Sequence, residues 1–138
     1  MPAKYMLEVI TPERMFFRGE VESVILPTPD GSMSIQKMHE PMVAAINIGT
    51  MKLLVDGEWL ECTTSEGFVE VRPDETIIFS QTAEWPNEID IRRAQEAKER
   101  AEERLRQSQS HQEYMQNQIA LARAMVRLRA GRRSRNLD

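Results

Sequence analysis

Turn-forming residues are divided unevenly along this chain of 138 residues, and that division limits the folds open to it. All seven prolines fall at or before Pro86, and five of the six glycines at or before Gly67. The sixth, Gly131, stands close to the end. The first stretch is punctuated often enough for short strands joined by tight turns, and the second can run as long helices. Charge divides at nearly the same place. Residues 1–88 carry 15 acids and 6 bases, a net −9, whereas residues 89–138 carry 7 acids and 12 bases, a net +5. The whole-chain value of −4 hides this polarity. We therefore expect two parts, residues 1–86 and residues 87–138.

The first part alternates apolar runs with turn signals. Strands are expected at Tyr5–Ile10, Val21–Leu26, Met51–Val55, Glu58–Cys62, Phe68–Val71 and Thr76–Phe79. Asp56-Gly57 between the third and fourth is a hairpin signal, because a type I′ turn needs positive φ at both central positions. Arg72-Pro-Asp-Glu75 reads as a second tight turn. No helical pattern separates these runs, which disfavours a parallel α/β sheet and points to a β-sandwich or barrel. Aromatic residues are only 6% of the chain, so the core must be mainly aliphatic.

The second part reads as a helical hairpin. Helix formers fill residues 89–105, and Asp90 suits the N-cap. Ala94, Ala97, Ala101 and Leu105 recur at helical spacing. Polar residues 107–111 form the expected turn. A second helix is expected over about 113–130, with Ile119, Ala122 and Val126 as its apolar line and Leu121, Met125 and Leu128 beside it. Gly131 then serves as a C-terminal cap, and Arg132-Arg133-Ser134-Arg135 as a disordered basic tail. An alanine-rich stripe buries little area, so the hairpin should dock weakly and be able to open.

Several kinds of chemistry find no support. His39 and His111 are far apart, Cys62 lies in an expected strand as an inert thiol, and no glycine-rich phosphate loop is present. Glu102 and Glu103 read as a solvated helix face. One cysteine forms no internal disulfide framework or cysteine-rich zinc site. No run spans a bilayer and the N-terminus has no signal-peptide pattern, so a reduced, cytoplasmic setting is expected. The arginines are more informative. Arg93 and Arg100 are two turns apart on the first helix, and Arg123 and Arg127 are i, i+4 on the second. In an antiparallel hairpin all four converge near the open end, where guanidinium forks would suit phosphate oxygens. The other reading is solvated cations paired with nearby glutamates. Nucleic-acid binding by the basic part is a further alternative. Against it stand the acids interspersed among those bases and the absence of a known nucleic-acid module.

The order of motifs resembles the epsilon-subunit family of the F-type ATP synthase over nearly the full length. The matching pieces are Val9-Ile-Thr-Pro12, His39-x-Pro41, Gly67-Phe-Val-Glu-Val-Arg-Pro-Asp74, Ile89-Asp-Ile-Arg-Arg-Ala94, Ala97-Lys-Glu-Arg-Ala-Glu102 and Ala122-Arg-Ala-Met-Val-Arg-Leu128. The resemblance implies an antiparallel sandwich of about ten strands followed by a two-helix hairpin. It implies a non-catalytic rotor subunit in the central stalk, peripheral at the cytoplasmic face of the membrane, coupling proton or sodium translocation to ATP synthesis. The implied partners are the gamma subunit, the c-subunit ring, and the alpha and beta subunits when the hairpin is extended; nucleic acid is not among them. The extended hairpin would inhibit ATP hydrolysis. No cofactor is required, but ATP is a possible regulatory ligand, and the implied nucleotide residues are Glu84, Asp90, Arg93, Ala94, Arg100, Arg123 and Arg127. Met38, His39, Pro41 and Met42 would belong to the loop facing the c ring. That loop departs from the family pattern, reading Ser34-Ile-Gln-Lys-Met-His39 where many members have Gly-Ile-Leu-Pro-Gly-His. Met33, Met38, Met42 and Met51 would either give it an adaptable apolar surface or fill the core.

Overall fold

Strand alternation builds the first part. In the computed structural model, which describes residues 3–137, β1 (Tyr5–Ile10) buries Leu7 and Val9 completely and turns Met6 and Glu8 the other way. Nine further strands follow: β2 (Met15–Val21), β3 (Ser23–Thr28), β4 (Gly31–Gln36), β5 (Met42–Ile46), β6 (Gly49–Val55), β7 (Glu58–Thr64), β8 (Gly67–Val71), β9 (Glu75–Ser80) and β10 (Ala83–Glu84). They form two five-stranded sheets, ordered β2-β1-β9-β8-β5 and β10-β7-β6-β3-β4. Leu7, Val9, Val24, Leu26, Ile35, Met51, Leu53, Val69 and Ile78 are fully buried and make an aliphatic core.

Asp56 and Gly57 take φ of 50° and 80°, as a type I′ turn requires, and β6 and β7 pair in register from Val55–Glu58 outward. The Arg72 amide donates to the Glu75 carbonyl at 2.8 Å, closing the second expected turn between β8 and β9. Two expectations need correction. Every pairing is antiparallel except β1 with β9, which run parallel, joined through the whole intervening chain. The expected strand Val21–Leu26 is also two strands. Its break at Glu22 is where the chain leaves the first sheet (β2) for the second (β3).

The chain divides into two compact units, Met1–Glu84 and Trp85–Asp138. Residues 1, 2 and 138, at the outer ends of the two expected parts, lie outside the described residues. The second unit opens with a single 3-10 turn, Pro86–Glu88, followed by α1 (Ile91–Arg106) and α2 (His111–Leu137). Helix α2 begins at a serine N-cap, with a second side-chain bond just ahead of it. The Glu113 amide donates to Ser110 Oγ at 3.1 Å, while the Glu113 carboxylate accepts the Gln109 amide at 3.0 Å. At its far end α2 does not stop at Gly131, and the expected disordered tail is helical through Leu137. Gly131 is buried, and a Cβ there would lie 3.1 Å from Ile91 Cγ1 and 3.2 Å from Ile89 Cγ2. The glycine serves close approach, with no capping role. No helix among the described residues is long and apolar enough to cross a membrane.

Candidate functional site

The Ile89-Asp-Ile-Arg-Arg-Ala94 segment is organised by Asp90. This residue is extended at the N-cap of α1, and its Oδ1 accepts the Arg93 amide at 3.1 Å. Its Oδ2 lies 3.7 Å from Arg93 Nε, so one carboxylate caps the helix and pairs with the guanidinium. Ala94 is fully buried and clusters with Ile89 and Leu128, with Ile91 and Ala130 packed against them. Ala94 and Ala101 of α1, and Ala124, Leu128 and Gly131 of α2, form the buried seam. Small residues on both sides let the two helix backbones come close.

That seam fixes where the arginines stand. Arg93, Arg100, Arg123 and Arg127 each immediately precede a buried seam residue: Ala94, Ala101, Ala124 and Leu128 respectively. One residue turns an α-helix by about 100°, so each arginine flanks the seam on its preceding side. Two antiparallel helices are related by a two-fold axis normal to their common plane, which puts their preceding sides on the same flank. The following sides obey the same rule, since Arg132 Nη2 donates to Gln95 Oε1 at 3.0 Å on the opposite flank. Register comes from Gly131 against Ile91 and from Asn117 Nδ2 donating to the Arg104 carbonyl at 3.2 Å. With those fixed points Arg123 stands at about the height of Arg100, and Arg127 between Arg100 and Arg93. Folding of the hairpin thus gathers four guanidinium groups, far apart in sequence, along one flank. Glu84 belongs to the other unit, in β10, where its carbonyl accepts from Thr63 Oγ1 at 3.5 Å.

The loop from Lys37 to Pro41 joins β4 to β5, the edge strands of the two sheets. Met38 has φ of 72° and is 90% exposed, so it is offered outward at the price of a left-handed backbone. The His39 amide donates to the Gln36 carbonyl at 3.2 Å, and its Nδ1 lies 2.9 Å from the Glu40 carbonyl. Pro41 is exposed and Met42 half-buried at the start of β5. The four methionines therefore separate: Met51 is core, Met38 is surface, and Met33 and Met42 lie between. Beside this loop is the Arg72–Glu75 turn, and both line a recess of about 360 Å³. Arg72 is held by Glu70 through two contacts, of 3.1 and 3.2 Å, and by Glu75 at 3.2 Å.

Cys62 is buried in β7, and that burial pushes its thiol up to about 12, leaving no reactive thiolate near neutral pH. Among the described residues no group of three His, Cys, Asp or Glu is placed to hold a metal ion. The face of α2 was misread from sequence. Ile119 is 39% exposed and Met125 40% exposed, whereas the buried line runs through Ala124, Leu128 and Gly131. The available signal was small residues opposite the alanines of α1. The Ser110-x-x-Glu113 pattern likewise marked the start of α2.

Sequence comparison extends these correspondences to the whole layout. A family model described as "ATP synthase, Delta/Epsilon chain, beta-sandwich domain" matches residues 4–86, and one described as "ATP synthase, Delta/Epsilon chain, long alpha-helix domain" matches residues 87–131. The ATP synthase epsilon chain of Ruminiclostridium cellulolyticum is 48% identical over 133 residues, covering 96% of this chain and 99% of that one. The epsilon chain of Caldanaerobacter subterraneus subsp. tengcongensis is 50% identical over 130 residues, covering 94% of each. A chain in the cryo-EM structure of the Euglena gracilis mitochondrial ATP synthase shares the fold, with a TM-score of 0.76 at 23% identity over 91% of this chain and 79% of that one. The sandwich and the helical part are thus matched in order by the two family models, which together span residues 4–131, and the chain belongs to the delta/epsilon chain family of the ATP synthase.

Proposed function

We propose that the chain works as a non-catalytic subunit of the central rotor stalk, coupling proton or sodium movement to ATP synthesis at the cytoplasmic face of the membrane. In this reading the sandwich binds the gamma subunit and the c-subunit ring, the latter through the Met38–Met42 loop. The basic hairpin is a conditional brake. Extended, it reaches the alpha and beta subunits and inhibits ATP hydrolysis; folded, it permits turnover. The observation that carries the reading is near full-length similarity to ATP synthase epsilon chains. The small-residue seam supports the brake, since alanine and glycine supply less transfer energy than leucine and leave the folded hairpin easily opened. Adding the chain to F1 lacking its own epsilon subunit tests this. Hydrolysis should fall with the full chain and recover when residues 87–138 are removed. Equal inhibition by both forms would refute the brake.

ATP is the ligand that would set the balance. Arg93, Arg100, Arg123 and Arg127 are gathered only when the hairpin is folded, so a polyphosphate touching both helices favours the folded state. Asp90 holds Arg93 in place, and Ala94 lets the helices close. Removing one charge-assisted contact with Arg93→Ala should weaken ATP binding by about tenfold to a hundredfold. Calorimetry of the full chain with ATP and ADP is the measurement. No heat and no thermal stabilisation at millimolar ATP would leave Asp90 as a helix cap alone.

A further inference from the structure

The flank of the hairpin opposite the four arginines just described holds a second concentration of cations. Lys98 of α1 and Arg129, Arg132 and Arg133 of α2 line a groove of about 440 Å³ floored by Met125 and Leu128. Among the described residues no carboxylate lines it. Several cations elsewhere on the hairpin are matched: Arg92 to Glu96, Arg93 to Asp90 and Arg106 to Glu103. Lys98 and Arg129 form no ion pair among the described residues, and Arg132 donates to the neutral Gln95 amide. The helix dipole explains cations only in the last turn of α2. Lys98 lies midway along α1, and Arg129 is two turns from the end of α2. Like charges lining a concave, apolar-floored surface repel one another and focus a positive potential into it.

We infer that this groove is an anion site for a small, linear polyphosphate, separate from the flank carrying Arg93, Arg100, Arg123 and Arg127. The guanidinium forks of Arg129 and Arg132 match tetrahedral oxyanions through paired N–H···O bonds, and Lys98 adds a point charge. A lipid headgroup would offer the same oxyanion chemistry, and the vesicle arm of the test separates the two sources. A ligand here also bridges α1 and α2, since Lys98 comes from one and the arginines from the other. It would therefore strengthen the folded hairpin independently of any ligand on the opposite flank.

Titration calorimetry with sodium tripolyphosphate at low ionic strength tests the site on the full chain. The R100Q/R123Q background removes the other flank as a competitor. That background should still bind, and adding K98Q/R129Q should weaken binding by about tenfold to a hundredfold. A control adding R104Q/R106Q removes the same charge elsewhere and should weaken it less. If circular dichroism shows K98Q/R129Q unfolded, R132Q/R133Q takes its place with the same expectation. Silence of the background, no added loss in the groove variant, or an equal or larger loss in the control would each overturn the inference. So would groove-dependent binding to phosphatidylglycerol vesicles without binding of tripolyphosphate.

Discussion

Gly67→Ala should be among the most damaging single substitutions in the sandwich. Gly67 opens β8 and pairs with Ser80 of β9 and Ile46 of β5. A Cβ there would overlap the Phe79 carbonyl oxygen, and would lie 2.8 Å from the Phe79 carbonyl carbon and 2.9 Å from Ser80 Cα. These are backbone atoms, so no rotamer change relieves the overlap. Moving β9 would disturb Ser80, whose Oγ accepts the Ser65 amide at 3.1 Å and donates to the Thr82 carbonyl at 2.6 Å. Overpacking that forces backbone shifts costs up to about 3 kcal/mol, or roughly 12–24 °C in Tm for a domain of this size. Gly131→Ala is the internal contrast. There the neighbours are side-chain ends of Ile89 and Ile91, and about 1 kcal/mol of helix propensity offsets the crowding. Thermal unfolding followed by circular dichroism reads both variants. A Gly67→Ala melt within about 4 °C of the parent, roughly 1 kcal/mol or less, would refute the steric argument.

Leu128→Ala should destabilise the hairpin by about 2–5 kcal/mol, seen as early loss of helical signal with the strand signal retained. Both signals melting together would count against an independently weak hairpin. Asp90→Ala removes the α1 cap and should lower helix stability by about 1 kcal/mol in urea titration, whereas Asp90→Asn should lose less. Cys62 titrates at about 12 in the fold against an ordinary 9.0, so the folded state holds its proton longer than the unfolded chain. Stability from this group is intact below pH 9 and falls as pH rises toward 12, by up to about 1.4 kcal/mol per pH unit. A Cys62→Ala variant should show a shallower alkaline decline. A native thiol that reacts with a disulfide reagent at pH 8 as fast as the unfolded chain would contradict its burial.

Sequence reasoning worked best where a local rule had one solution. Asp56-Gly57 allowed only a positive-φ hairpin, and Asp90 ahead of an uninterrupted helical stretch allowed only an N-cap. It worked less well at sheet edges. Strands β4 and β5 are edge strands burying one residue each, Ile35 and Ile46, so alternation left almost no trace there. The Val21–Leu26 run hid a change of sheet, because no glycine or proline separates Val21 from the apolar residues after Glu22 and the switch is a tertiary event. Helix α2 carries apolar residues around its circumference, including Met115, Ile119, Leu121, Met125 and Leu128, so periodicity did not select the seam. Packing chose the line with Ala124 and Gly131, which permits close approach. The arginine cluster was half legible. Spacing put Arg93 with Arg100 and Arg123 with Arg127, but their common flank follows only from the seam and register.

The central claim is that this chain sits in the rotor stalk, and recovery from membranes tests it most directly. A tagged full-length chain, expressed in its own cells and purified from detergent-solubilised membranes, should bring down the gamma subunit and the c-subunit ring in fixed proportion to itself. Glutamate in place of Met38, the most exposed residue of the Lys37–Pro41 loop, should weaken recovery of the ring while gamma is retained. Recovery of the chain alone, or with nucleic acid in place of gamma and the ring, would contradict the account.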